Sequence, residues 1–279
     1  MLKMTGVNQE EDMMSIMTSN IWGDYFGNPV SEREDLLFDV FMRYAPDVLG
    51  LQEVTKNWYE SKLLKRLSGQ YAFAGTEICE NTNYVPLAYK KEYLLWAKGY
   101  ERLRSTQDKS KGITWAVLKH PQEERLVAVC NTHFWWKAGA EHDLVRAANA
   151  GQLTELMRYL HQQYKCPVFA FGDMNSVLAS EVFRVYEESG IRHLYDLAEA
   201  KKDVSSHHGD PQPDEKGVLR GKRTQKDRYC SIDHMIGLGD DFRILSYQVV
   251  EDKDALDASD HSPVYVDIEL LCEGKHEWR

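Results

Sequence analysis

The sequence predicts an α/β fold in one domain spanning residues 1–279, with its core at about 14–270. Three observations carry this reading. Short apolar runs of strand length alternate with longer segments of helical periodicity. The middle of the chain is a succession of strand candidates separated by turn residues. Hydrophobic residues make up 43% and charged residues 28% of 279 positions, which suffices for a large packed core and is unlike a disordered chain. No internal repeat and no second-domain boundary is visible.

The elements follow in order. Met14 to Ser19 reads as a strand ending at Asn20. Ser31 and Glu34 have capping-box spacing, and Leu37, Val40, Phe41 and Tyr44 continue at helical intervals until Pro46. Val48 to Gln52 is a compact strand before Glu53, and Asn57 to Leu67 reads as one helix. Strands are expected at Tyr71–Phe73, Val85–Tyr89, Tyr93–Tyr100, Ile113–Leu118 and Leu126–Thr132, the last two joined by a turn containing Pro121. Ala140 to Tyr159 is a long helix. Val168 to Gly172 is a buried strand and Ser180 to Glu188 a helix. Lys201 to Arg228, rich in Gly, Pro, Asp and Lys, reads as a long surface loop. Ile232, Phe242–Val250 and Val264–Leu270 close the sheets.

Charge and cysteine usage narrow the function. The formal net charge is −10. An acidic body is repelled by polyanions, so tight non-specific nucleic-acid binding is disfavoured, although a local basic patch can serve a smaller phosphate. The five cysteines (Cys79, Cys130, Cys166, Cys230 and Cys272) are odd in number and form no CxxC pair, which supports neither a disulfide framework nor a zinc site. Met1 to Met13 lacks the apolar core of a signal peptide, and no run approaches the roughly 18 apolar residues of a membrane span. A cytoplasmic monomer is expected.

The chemistry recurs at strand ends. TSN ends at Asn20, LGLQE at Glu53, VCNTH at His133, and FAFGDMN at Asp173 and Asn175. SIDH carries Asp233, and ASDH carries Asp260 and His261. One such case is an ordinary cap or turn, but so many in one domain gather acids, amides and imidazoles at the edge of a rigid sheet. Glu53 and Asp260 are hard oxygen donors of the kind that hold Mg²⁺ or Mn²⁺. Asp173 and Asn175, two apart after a strand, point the same way.

GDMNS and SDHSPV, with LQEV and NTHF in the same order, resemble the endonuclease/exonuclease/phosphatase superfamily from about Met14 to Leu270. The resemblance implies a four-layer α/β sandwich of two packed, mainly antiparallel mixed sheets flanked by helices. It also implies a Mg²⁺- or Mn²⁺-dependent phosphoesterase. Glu53 and Asp260 would hold the metal, and Asp173 would orient or deprotonate the attacking water. Asn20, Asn175 and His261 would hold phosphoryl oxygens. Asp233 would fix the His261 ring, and His133 would stand near the phosphate or leaving group. Several members carry a glutamate that orients the first histidine; Asn83 stands at that position, which implies that His133 lacks an acidic partner.

A phosphodiesterase or nuclease acting on a nucleic acid, nucleotide or small diester is the first reading. A phosphatase of a phosphorylated sugar, inositol or other metabolite is the alternative, and an inactive binding protein the distant one. Substrate contacts are expected from Trp135 and Trp136, which follow His133 and can stack on a base or sugar. They are also expected from Lys222 and Arg223 in the basic run RGKRTQKDR, Arg220 to Arg228. Arg146 and Gln152 read as structural, and His207–His208 as a solvated pair.

Overall fold

A computed structural model describes residues 13–25, 28–75, 83–122, 125–207, 212–217, 219–220 and 227–271. The elements are β1 (Met13–Asn20), α1 (Glu34–Tyr44), β2 (Val48–Gln52), α2 (Lys56–Glu60), α3 (Lys62–Leu67), β3 (Tyr71–Ala74), β4 (Leu87–Lys90), β5 (Leu94–Arg102), β6 (Gly112–Lys119) and β7 (Leu126–His133). There follow α4 (Ala140–Tyr164), β8 (Val168–Asp173), α5 (Glu181–Glu188), β9 (Arg192–His193), α6 (Leu194–Leu197), β10 (Ala200–Lys201), β11 (Gln212–Pro213) and β12 (Leu219–Arg220). The chain closes with β13 (Asp233–Leu238), β14 (Phe242–Val249), α7 (Lys253–Ala258) and β15 (Val264–Leu270).

Two sheets result. A seven-stranded sheet runs β10-β14-β15-β1-β2-β4-β3, and a six-stranded sheet runs β5-β6-β7-β8-β13-β9. Strict period-two burial explains how they stack. On β8, Phe169 and Phe171 enter the core between the sheets with Met14 and Ile16 of β1, while Val168 and Ala170 turn outward to pack under Leu153 and Met157 of α4. On the other side Met17, Leu49 and Leu51 meet Leu37 and Phe41 of α1. The layers are therefore helix, sheet, sheet, helix, as the resemblance implies.

Most pairings are antiparallel, but β1–β2, β7–β8 and the two-residue β10–β14 are parallel. The first two pairs each need a crossover, supplied by α1 and α4. Both pairs bring two strand C-termini side by side, at Asn20 and Gln52 in one sheet and at His133 and Asp173 in the other.

Buried amides join the sheets below those ends. Asn131 on β7 donates to Leu51 O at 2.7 Å and Pro86 O at 2.9 Å, and Gln52 on β2 donates to Asn131 Oδ1 at 2.6 Å and Thr18 Oγ1 at 2.9 Å. Gly172 permits the close pairing of β7 with β8. Its φ is +145°, and a Cβ there would lie 1.9 Å from Thr132 O.

Three local expectations change. Ser31 does not cap α1: Val30–Glu32 forms a 3₁₀ turn, and Glu34 instead accepts from Lys62 N at 2.8 Å. The expected helix Asn57–Leu67 breaks at Ser61, which is extended and whose hydroxyl caps α3 by accepting from Leu63 N. The start of the polar stretch 201–228 is not surface: Ser205 and Ser206 are buried, and Ser262 N donates to Ser206 O at 2.7 Å. Among the described residues no helix is long and apolar enough to cross a membrane. Cys130 and Cys166 are free, buried thiols.

Candidate active site

Three adjacent strands of the six-stranded sheet present His133, Asp173 and Asp233 in register. Asp173 stands at the centre. Its Oδ2 accepts from Asn20 Nδ2 at 3.0 Å and lies 3.3 Å from His133 Nε2 and 3.9 Å from His261 Nε2. Its Oδ1 accepts from Asn175 N at 2.9 Å. Burial pushes the Asp173 carboxyl upward; the His261 charge opposes this and the nearby Asp233 adds to it.

Asn20 links the two sheets' acids. The same amide nitrogen also donates to Glu53 Oε1 at 3.2 Å, and Asn20 Oδ1 accepts from Trp22 N, which fixes the amide's orientation. Glu53 Oε2 accepts from Gly23 N at 2.7 Å. Glu53 and Asn175 both have positive φ, 60° and 47°. Asn tolerates that region better than Glu, so Glu53 is held in a strained conformation at the site. Asn175 Nδ2 donates one hydrogen to Phe134 O at 3.2 Å, and the amide has a second to offer.

His261 Nδ1 donates to Asp233 Oδ2 at 2.8 Å, the direct pairing the resemblance implies. Burial disfavours the imidazolium, but the Asp233 and Asp260 carboxylates outweigh it and hold His261 well above the ordinary histidine range. Its Nε2–H is therefore a charged donor, 3.9 Å from Asp173 Oδ2. Asp233 is lowered: burial raises it, but the charge and hydrogen bond of His261 prevail. Ser206 Oγ supplies a further hydrogen bond to Asp233 Oδ2 at 2.7 Å.

Behind this, Arg33 is fully buried and holds two of the site's loops. It donates to Ile21 O at 2.7 Å, Trp22 O at 2.8 Å and Ala258 O at 3.0 Å, and lies over the Trp58 ring. Ser259 Oγ ties the same loops by donating to Asn20 O and accepting from His261 N.

The donor set fits a hard divalent cation. Among the described residues the buried Asp260 Oδ1 has no hydrogen-bond partner, and burial, with Glu53 adding to it, raises that carboxyl to about 6. A buried acid with an orphaned oxygen is costly, and a bound cation would relieve it. Ligand atoms of His207, Asp260 and His261 lie within 4.8 Å of one another, as do those of Glu53, His133 and Asp173. The second trio adjoins the Lys111 ammonium, 2.7 Å from His133 Nε2, which disfavours a metal on its histidine.

The structure thus brings together Asn20, Glu53, His133, Asp173, Asn175, Asp233, Asp260 and His261. Expectations around this set differ in detail. His133 is not without an acid nearby, because Asp173 is within 3.3 Å; yet burial, then Lys111, then His261 keep it well below the usual histidine range. Asn83 has no part in orienting it, since its amide donates to Gly75 O and Thr114 Oγ1. His207 is not a solvated residue: it forms a β-bridge with His261, their rings 4.9 Å apart. Trp135 is half-buried and donates to His142 Nδ1 at 2.9 Å, whereas Trp136 is 58% exposed. Lys222, Arg223, Lys226 and His208 lie outside the described residues. Arg228, at the end of the basic run, pairs with Asp196 and packs over Tyr195. Arg146 and Gln152 are structural, bonded to the backbone of Trp135 and Arg102. Lys111, Arg33 and Ser206 were missed. Each is a lone residue in an unremarkable stretch; only Ser206 carries a hint, lying in SSHH.

A two-sheet sandwich with acids, amides and imidazoles converging at its strand ends defines a phosphoesterase fold. The family described as Endonuclease/Exonuclease/phosphatase matches residues 17–261, and the chain belongs to it. Among solved structures, an endonuclease/exonuclease/phosphatase family protein of Bacteroides thetaiotaomicron superposes with a TM-score of 0.75 at 17% identity, covering 96% of this chain and 98% of that one. A mannosyl-6-phosphatase of the same organism gives 0.72 at 18% identity, covering 91% and 99%. The human nocturnin catalytic domain, with bound sulfate, gives 0.70 at 16%, covering 93% and 95%. No curated protein matches.

Proposed function

We propose that this protein is a Mg²⁺- or Mn²⁺-dependent hydrolase of phosphoester bonds, acting on a small phosphodiester. The observation that carries the reading is the set of adjoining strand ends at which Asn20, Asp173, Asn175 and the Asp233-paired His261 meet beside Glu53 and Asp260. Asp173 accepts the proton of a water that attacks phosphorus, and the bond to the leaving oxygen breaks on the opposite side. His261 and the free amide hydrogen of Asn175 meet the charge on the phosphoryl oxygens, while Asn20, whose two amide hydrogens go to Glu53 and Asp173, positions those acids beside the phosphate. A divalent cation held by Glu53 and Asp260 supplies positive charge that offsets that of the phosphate. The net charge of −10 supports a small substrate over long nucleic acid.

Turnover of bis-p-nitrophenyl phosphate and its monoester, with Mn²⁺ or Mg²⁺ and with excess EDTA, tests this. The diester is cleaved faster, and chelation abolishes cleavage. Glu53→Gln weakens metal affinity and activity together. Full activity in EDTA contradicts the metal assignment. Cleavage of the monoester alone moves the reading to a phosphatase, and no turnover to an inactive binder.

A further inference from the structure

We propose that Lys111 is a catalytic residue of this site, its ammonium held by His133 so that it binds a non-bridging phosphoryl oxygen. The proposal rests on the phosphoesterase reading above.

Lys111 is only 4% exposed, yet among the described residues it has no carboxylate within ion-pair distance. Among the described residues its ammonium has one hydrogen-bond partner, His133, with Nζ 2.7 Å from Nε2. A neutral imidazole nitrogen accepts one of the three N–H bonds of the ammonium, and the other two have no partner among the described residues. A buried ammonium is costly unless something opposes its charge. Burial lowers its pKa, and Glu53, Asp173 and Asp108 oppose that only through space. Two unfilled donors on a buried cation, beside an acid cluster built for phosphate, are complementary to an anionic oxygen.

The backbone holds Lys111 for this task. Its N donates to Asp108 O at 3.3 Å and its O accepts from Leu103 N at 3.2 Å. The next residue, Gly112, has its carbonyl bonded by Thr132 Oγ1 at 2.9 Å, which ties the Lys111 end of β6 to the strand carrying His133. His133 Nε2 in turn lies 3.3 Å from Asp173, so one imidazole spaces the lysine from the acid that handles water. His133 is then a positioning group for a cation rather than a general acid. Asp173 is flanked by Lys111–His133 on one side and by His261–Asp233 on the other, giving the phosphoryl group a cationic donor from each.

The test compares Lys111→Met, which keeps the apolar stem, with Lys111→Arg, which keeps the charge. Two readouts are used: kcat/KM for bis-p-nitrophenyl phosphate with Mn²⁺, and calorimetric affinity for inorganic phosphate on the Mn²⁺-loaded protein. For Lys111→Met the expected results are a loss of about 100-fold in kcat/KM and about 10-fold in phosphate affinity, with Mn²⁺ affinity unchanged. Lys111→Arg retains phosphate affinity within about threefold. If Lys111→Met retains both values within twofold, the proposal is overturned. If wild type cleaves no phosphoester, the functional reading has failed, and the phosphate titration still decides Lys111: equal affinity in wild type and variant, or none in wild type, refutes it. Should Lys111→Met not fold, Lys111→Gln and Lys111→Arg carry the same comparison.

Discussion

Asn131→Leu tests the buried amide link beneath the site. Leucine nearly matches asparagine in shape, so the change removes polarity with little cavity. Leu51 O then loses a 2.7 Å bond and Gln52 Nε2 loses its 2.6 Å acceptor. Pro86 O keeps Leu51 N at 3.2 Å, and Gln52 keeps Thr18. Two buried groups are left short, at about 1–3 kcal/mol each. A loss of about 3 kcal/mol follows, which for a chain of this size lowers Tm by roughly 6–12 °C. Activity falls as well, because Glu53 follows Gln52 directly and His133 lies two residues beyond Asn131. Thermal and urea unfolding measure the first effect and diester hydrolysis the second. A double cycle with Gln52→Leu should recover at least about 1 kcal/mol, since apolar groups on both sides leave fewer orphans. A Tm within about 2 °C of wild type in Asn131→Leu would refute the idea that these amides fasten the sheets.

Asp233→Asn keeps the fold but removes the charge that holds His261 protonated; kcat is expected to fall at least about 100-fold with little change in circular dichroism, and undiminished kcat would dismiss the pairing as decoration. Gly172→Ala should destabilise the protein by several kcal/mol, about 3 or more, because the new methyl meets backbone at Thr132 O; wild-type stability would mean β7 and β8 can separate freely. His234 is buried, with its ring bonded to Ser176 O and His193, and burial lowers it from 6.5 to about 4. The unfolded chain therefore takes up a proton that the folded one refuses. Stability is full above about pH 6.5 and declines as pH falls toward 4, by about 3 kcal/mol from this group. His234→Gln should flatten that acid limb; an unchanged slope between pH 6.5 and 4.5 would remove His234 as its source.

The sequence carried most of the sandwich because its strands are short, β-branched or aromatic, and sharply bounded; β1, β2, β7 and β8 each lie within two residues of expectation. It carried the polar cluster because those residues sit at strand ends in a familiar order. What it lacked was long-range. Ser61 looks like any helical serine, and only its extended backbone and the hydroxyl cap on Leu63 N show that the chain bends there. Ser206 and His207 sit in a polar stretch whose composition says loop, while Ser206 is buried under a bond from Ser262 N and His207 is half-buried in a β-bridge to His261, both far along the chain. Lys111 precedes a strand without any pattern; its meaning arises only from the neighbouring strand that brings His133 within 2.7 Å. Asn131 and Gln52 read as parts of strand-end motifs, yet their side chains join the sheets below the site.

The central claim is that this edge directs water to phosphorus. It is tested most directly by hydrolysing bis-p-nitrophenyl phosphate with Mn²⁺ in ¹⁸O-labelled water and following the product by ³¹P NMR. The account predicts one ¹⁸O in the phosphoryl product, at a rate abolished by EDTA and strongly reduced in Asp173→Asn. Label found in p-nitrophenol instead, or turnover indifferent to Asp173, would contradict it.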